Sequence, residues 1–290
     1  MIIMTACTRS QWLLSFLYNR IDNQVISQLN DYAEFSDAQK QRIRDEVKRF
    51  HYWHRRVIMP EYARILGDVA GRLRTPPHQV SEDIVEVWVD RVLLTFDRGD
   101  ECGPLADAGG FFSTLTDTQI DQIEEKLKQD IQDAKKFVEK SNDEKRIKLR
   151  FKWARRFGLQ LTETQKQVFR ESFNQHIDLR SKSINLHEKW NHDFTAILRG
   201  EDSEDKAAVL QSRIDELGYL VRNHYRKEYQ ANRKLWENYL KDLLNGLNLK
   251  QRSEFLDWLD VMQRNVEVIA KDDVEPPANV PFSGACGVSV

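Results

Sequence analysis

No apolar run in this 290-residue chain approaches the roughly 20 residues that a membrane-spanning helix needs, so the chain as given does not cross a bilayer in that way. Neither sign of charge dominates. There are 44 basic and 46 acidic residues, for a formal net charge of −2, and the whole molecule therefore lacks the electrostatic footprint of a nucleic-acid binder. Proline and glycine are sparse, at seven and 12. With 31% charged and 40% hydrophobic residues, that scarcity of breakers suits long, charged-faced helices better than sheets. The length allows one large core or two modest ones. Only three cysteines occur, and in an oxidising compartment Cys102 and Cys286 are able to pair.

Reactive patterns are scarce too. No phosphate-binding loop, dinucleotide glycine fingerprint or Gly-x-Ser-x-Gly elbow is present, and no Glu-x-x-His of the helical di-iron kind. His187-Glu188-Lys189-Trp190-Asn191-His192 comes nearest to a zinc-protease helix. Its second histidine stands one step too far, so at about 100° per residue the two rings point about 140° apart. His51 and His54 share a helix face but bring no third ligand. The sequence therefore names no catalytic, metal or cofactor-binding residue, and we expect a protein without a cofactor.

What the chain has instead is a recurring way to start a helix. Ser36 precedes a helical pattern and Gln39 follows three residues later, the signature of a capping box. Pro60 then predicts an end or a kink, with Arg55 and Arg56 placed as cations near the C-terminal dipole of this helix. The opening recurs at Leu115–Gln119 and Leu161–Gln165, and more weakly at Leu247–Gln251. In all four copies the residue seven after the cap is apolar (Ile43, Ile123, Phe169, Phe255), and so is the one eleven after (Val47, Leu127, Phe173, Leu259). The copies start 80, 46 and 86 residues apart, which is no solenoid period.

These patterns predict an all-α protein, an extended multi-helix bundle with several long helices. An N-terminal helical subdomain covers 8–98, a loop or hinge 99–114, a long-helix bundle 115–270 and a Pro- and Gly-bearing flexible tail 271–290. Within the bundle we expect a helix from Thr116 to Lys140 with Asp143–Phe157 as its antiparallel neighbour. One long pattern runs from Thr162 to about Leu198, and another passes from Leu210 to Leu243; lengths beyond about 25 residues suggest kinks.

The strongest charge feature is KRIKLRFKWARR, with Lys145, Arg146, Lys148, Arg150, Lys152, Arg155 and Arg156 and no acid. It suits a phosphate-rich partner: anionic lipid head groups, lipopolysaccharide or RNA. Ile147, Phe151 and Ala154 are equally spaced as a buried stripe, which makes the cations a solvated face. At the start, MIIMTAC sets small Thr5 and Ala6 before Cys7 after apolar residues. That looks like the end of a bacterial lipoprotein signal, in which the cysteine becomes acylated. The other reading is an ordinary cysteine in a cytoplasmic protein that starts at Met1.

Taken together, Trp12–Tyr18, Phe35–Gln39, Trp53-His54-Arg55-Arg56 and Met59-Pro60-x-Tyr62 resemble an uncharacterised family of gammaproteobacterial lipoproteins, a domain of unknown function. The match is specific over about residues 7–75 and looser through 270. The resemblance implies lipid attachment at Cys7, and Thr8 in place of aspartate implies the outer membrane, periplasmic side. The Leu-Thr-x-x-Gln motifs are also similar to those of periplasmic chaperones of the Spy and CpxP kind, which bind unfolded clients on a concave helical face. Function is thus expected to be non-enzymatic binding or scaffolding, with protein clients or anionic lipid as partners and nucleic acid not expected. The alternatives are an envelope hydrolase and a cytosolic RNA-binding adaptor acting through residues 145–156.

Overall fold

The computed structural model describes residues 18, 21–103, 108–200, 205–272 and 276, without the side chains of 21–24 and 100–101. Cys7, the Trp12–Leu17 stripe, the Glu201–Glu204 run, and Cys286 in the tail all lie outside these residues. Every regular element among the described residues is helical: α1 (Ile21–Asn30), α2 (Asp37–Trp53), α3 (Met59–Arg74), α4 (Glu82–Cys102), the short α5 (Gly109–Phe112), α6 (Asp117–Lys140), α7 (Asp143–Arg156), α8 (Glu163–Gln175), α9 (Arg180–Arg199), α10 (Lys206–Asp215), α11 (Leu220–His224), α12 (Arg226–Asn245) and α13 (Leu249–Lys271). The protein is an all-α bundle with several long helices.

All four repeated openings are complete capping boxes, on Ser36, Thr116, Thr162 and Asn248. In each, the cap side chain accepts from the amide three residues on, and the glutamine there accepts from the cap's own amide, so two otherwise orphan donors are satisfied reciprocally. The residue seven after every cap is buried. Eleven after, Val47 and Leu259 are buried while Leu127 and Phe173 pack partly buried on the same clusters. Fully burying one such side chain stabilises by about 1.5–3 kcal/mol, so the shared spacing is a statement about the core.

The copies associate in pairs. The Gln39 and Gln119 side-chain amides hydrogen-bond to each other, at 3.1 and 2.8 Å for the two donor–acceptor contacts, and Gln119 also donates to the Glu34 carbonyl at 2.9 Å. Gln165 and Gln251 repeat this at 3.3 and 2.8 Å, with Gln251 donating to the Gln160 carbonyl at 2.6 Å. Helices α2 and α6 therefore share one N-terminal corner and α8 and α13 another. Beneath the first lie Phe35, Ile43, Val47 and Ile123. Beneath the second lie Phe169, Leu247, Phe255 and Leu259.

Pro60 does not end its helix. Residues His54–Ile58 form a π-helical turn, in which the Met59 amide donates to the His54 carbonyl. The wider turn absorbs the missing donor and the ring of proline, and α3 continues directly with Pro60 in its first turn. Arg55 and Arg56 do not serve the end of their own helix. They reach the last turn of α13, Arg55 donating to the Ile269 carbonyl at 3.3 Å and to Asp272 at 3.1 Å, Arg56 to the Ala270 carbonyl at 3.3 Å. These carbonyls lie in the last turn, where the regular i→i+4 bonds run out; that of Ile269 otherwise has only the long 3.4 Å contact from the Asp272 amide, and the guanidinium charges face the negative end of the α13 dipole.

The kinks expected in the two long patterns are full breaks, and the expected pairing of α6 with α7 is corrected. The Thr162–Leu198 pattern breaks at 176–179, where the Asn232 side chain takes both the amide and the carbonyl of Ile177 at 2.8 Å. There Asp178 accepts from the Arg180 amide at 3.0 Å and restarts the helix. The Leu210–Leu243 pattern breaks into α10, a 3₁₀ turn at Leu217–Tyr219 containing the poor helix former Gly218, α11 and α12. Helix α7 is not the antiparallel neighbour of α6. It packs Ile147 and Phe151 into the cluster of α3, α4, α8, α12 and α13, whereas α6 packs along α9.

The core thus has two main bodies. One is that six-helix cluster, in which α3 lies along α13 and α12 along α4 and α8. The other joins α6, α9 and α10 through Ile120, Trp190, Phe194, Leu198, Leu210 and Ile214. Helix α5 seats against α10 at Gly109, where an added Cβ would stand 2.2 Å from the Ala207 carbonyl oxygen. Only glycine permits that approach.

Candidate binding groove

An open groove of about 940 Å³ lies between the two bodies. One wall comes from the outer faces of α4 and α12, with Trp88, Val89, Val92, Trp236 and Leu240; the other comes from α6 and α9, with Ala134, Phe137, Val138 and Ile184. These two helix pairs face one another without packing closely, so apolar side chains that would otherwise be core are left in reach of solvent. Phe137 is 69% exposed and Trp236 45% exposed. Single exposed apolar residues are ordinary on a protein surface, whereas a contiguous concave apolar lining marks a ligand or partner site.

One end of the groove is charged, and its charges are matched internally. Asp178 accepts from Arg180 Nε at 3.0 Å and Nη2 at 2.6 Å and lies 3.5 Å from Arg146. The Arg180 hydrogen bonds hold its carboxyl well below the usual range, at about 2. Arg233 pairs with Asp90 at 2.7 Å and with the buried Glu237 at 2.6 Å. Burial first, then the charge of Arg146, pushes the His176 pKa down. The groove therefore offers apolar area rather than a net field. One donor remains unused: Arg180 Nη1 is buried without an acceptor.

The basic run of the sequence sits elsewhere, on α7. Lys145, Lys148, Arg150, Lys152 and Arg155 are exposed, Arg146 is half-buried in ion pairs with Asp143 and Asp178, and Arg156 lies over the Trp153 ring at 4.8 Å. His187 and His192 diverge as their spacing requires. His187 is half-buried with its pKa lowered by burial, and His192 is exposed beside Asp193. No group of three His, Cys, Asp or Glu residues placed to hold a metal ion occurs among the described residues. His51 and His54 instead belong to an aromatic cluster with Tyr18, whose hydroxyl lies 2.8 Å from His54 Nδ1. Cys102 is buried beside Trp53 and Ile58 and is disulfide-bonded. Both other cysteines lie outside the described residues.

The groove escaped the sequence reading because its linings have the same 3.6-residue spacing as a core stripe. The available signal was on α6, where Ala134, Phe137 and Val138 prolong the apolar series of Ile120, Ile123, Leu127 and Ile131 without a further predicted partner. No curated protein and no solved structure matches the chain. A family does match, over residues 31–229 and hence more than half the chain, including three of the four capping boxes and the Trp53–Arg56 turn: the chain belongs to DUF6279, a family of unknown function.

Proposed function

We propose that this chain is a non-enzymatic binding protein of the bacterial envelope, lipid-anchored at Cys7 on the periplasmic side of the outer membrane, and that it works in a chaperone-like way. The observation that carries the reading is the open apolar groove between α4/α12 and α6/α9. An unfolded client supplies extended apolar side chains for its walls. The internally paired charges impose no sequence preference, which suits varied clients. The Cys102 disulfide supports an oxidising compartment, since such bonds are rare in the cytosol.

Two experiments test the parts separately. The unacylated full-length chain is mixed with a chemically denatured, aggregating client without ATP. Suppressed light scattering is expected, with loss of suppression in Phe137→Asp and Trp236→Asp, whose rings already face solvent. No suppression by the wild-type chain removes the chaperone-like role. Mass spectrometry of unreduced peptides from cell envelopes tests the anchor. An acylated Cys7 has no free thiol, so the Cys102 partner must then be Cys286. A Cys7–Cys102 crosslink rules out acylation.

A further inference from the structure

Helix α7 has a second apolar stripe, on the face opposite the one it buries. Ile147 is buried, and Leu149, two residues on, is turned about 200° away from it and is 51% exposed. Trp153 and Phe157 follow at four-residue steps, so all three share one outward face. Phe157 is 40% exposed, and its ring stands 6.0 Å from that of Trp153 and 5.1 Å from that of Trp258. The rings are held in place from behind by α13.

Cations flank this stripe on both sides. By helical angle, Lys145, Lys152 and Arg156 lie along one edge and Arg150 along the other. Among the described residues these four, with Arg155, form no ion pair, and residues 145–162 contain no carboxylate. The acidic groups that approach the helix do so at its N-terminal end, where Asp143, Glu144 and Asp178 are engaged with Arg146, Arg170, Lys148 and Arg180. A solvated basic face needs no central apolar stripe, and a protein interface core is depleted of such unpaired charge. An exposed Leu-Trp-Phe line between rows of lysine and arginine matches a bilayer surface: the apolar line enters the acyl boundary, the indole sits at headgroup depth, and the cations meet phosphates.

We infer that the outer face of α7, residues 145–157, is a membrane-surface contact that takes anionic phospholipid headgroups. The contact does not use the groove, so it is testable apart from client binding, and it requires no acylation of Cys7.

The test is sedimentation of the unacylated full-length chain with vesicles of phosphatidylcholine alone or mixed with phosphatidylglycerol, at low and high salt. Binding is expected only to the anionic vesicles and is weakened by salt. The triple variant Lys145→Glu/Lys152→Glu/Arg155→Glu lowers it about tenfold or more. Leu149→Ser lowers it by roughly three- to tenfold and leaves the salt dependence unchanged, a split that a purely electrostatic contact would not produce. All four positions are exposed, and circular dichroism checks that the variants stay folded. Absence of binding to anionic vesicles overturns the inference, as does binding that neither variant weakens. Displacement of the vesicles by single-stranded RNA at lower concentration than by anionic lipid would assign the face to nucleic acid instead.

Discussion

Acid should destabilise this protein through one histidine more than through any other. His54 sits in the π-turn, its Nδ1 against the Tyr18 hydroxyl and its ring beside Phe50, Tyr62 and His51. Burial first, then the charges of His51 and Arg55, push its pKa from 6.5 down to about 4. The folded value lies below the unfolded one, so as pH falls the unfolded chain binds the proton first. The stability tied to a neutral His54 is complete above about pH 6.5 and drains away as pH falls toward 4. For these two pKa values the loss between pH 7 and pH 5 is about 2 kcal/mol. The assay is urea unfolding at the two pH values, in wild type and in His54→Asn, which keeps a polar partner for Tyr18 but does not titrate. His176 and His187, also depressed, contribute equally to both proteins and cancel. Wild type should lose about 2 kcal/mol more than the variant. Equal losses would refute the argument, because they would mean that His54 protonates in the folded protein as readily as in the unfolded one.

Replacing Arg55 with Met should cost roughly 2–3 kcal/mol, read by denaturant midpoint, because Asp272 and the Ile269 carbonyl lose a charged donor; an unchanged midpoint would mean that solvent caps α13 equally well. Gly109→Ala should destabilise by about 2 kcal/mol or more, since α5 must lift from the Ala207 carbonyl, and a neutral result would show that this seat is not tight. A double-mutant cycle on Gln39→Ala and Gln119→Ala should give a coupling of about 0.5 kcal/mol or more, with Gln165 and Gln251 giving a similar value; additive effects would show that the shared corner contributes no energy.

Much of the architecture could be read residue by residue. A cap side chain and a glutamine three positions later are local chemistry, so all four helix starts were legible, including the weaker Asn248 copy. The apolar residue seven after each cap was legible as core for the same reason. What periodicity does not contain is which copy meets which. The pairing of Gln39 with Gln119 and of Gln165 with Gln251 depends on helices brought together across 80 and 86 residues. The breaks at 176–179 and 217–219 were hidden because the apolar spacing runs through them, while the residue that stabilises the first break, Asn232, lies 55 positions away. Arg55 and Arg56 were recognised as helix-end cations but assigned to the nearer helix end. Trp88, Val92 and Phe137 carried no mark to separate a groove lining from a core stripe, since both are apolar at helical spacing, and only the gap between two packed bodies tells them apart.

The grip of Arg55 and Arg56 on the end of α13 also orders events in time. Their contacts span 214 residues of chain, and α3, which follows them, has its longest packing partner in the same final helix. The corner of α2 and α6 can close once residue 127 or so is made, but the π-turn and α3, which already touch α4, lack their longest partner until residue 271 has left the ribosome. Such distant contacts make folding slow and leave apolar faces open while synthesis continues. A nascent chain truncated between residue 127 and α13 should therefore hold a formed first corner beside a half-sheltered α3, and α13 is the helix that covers it.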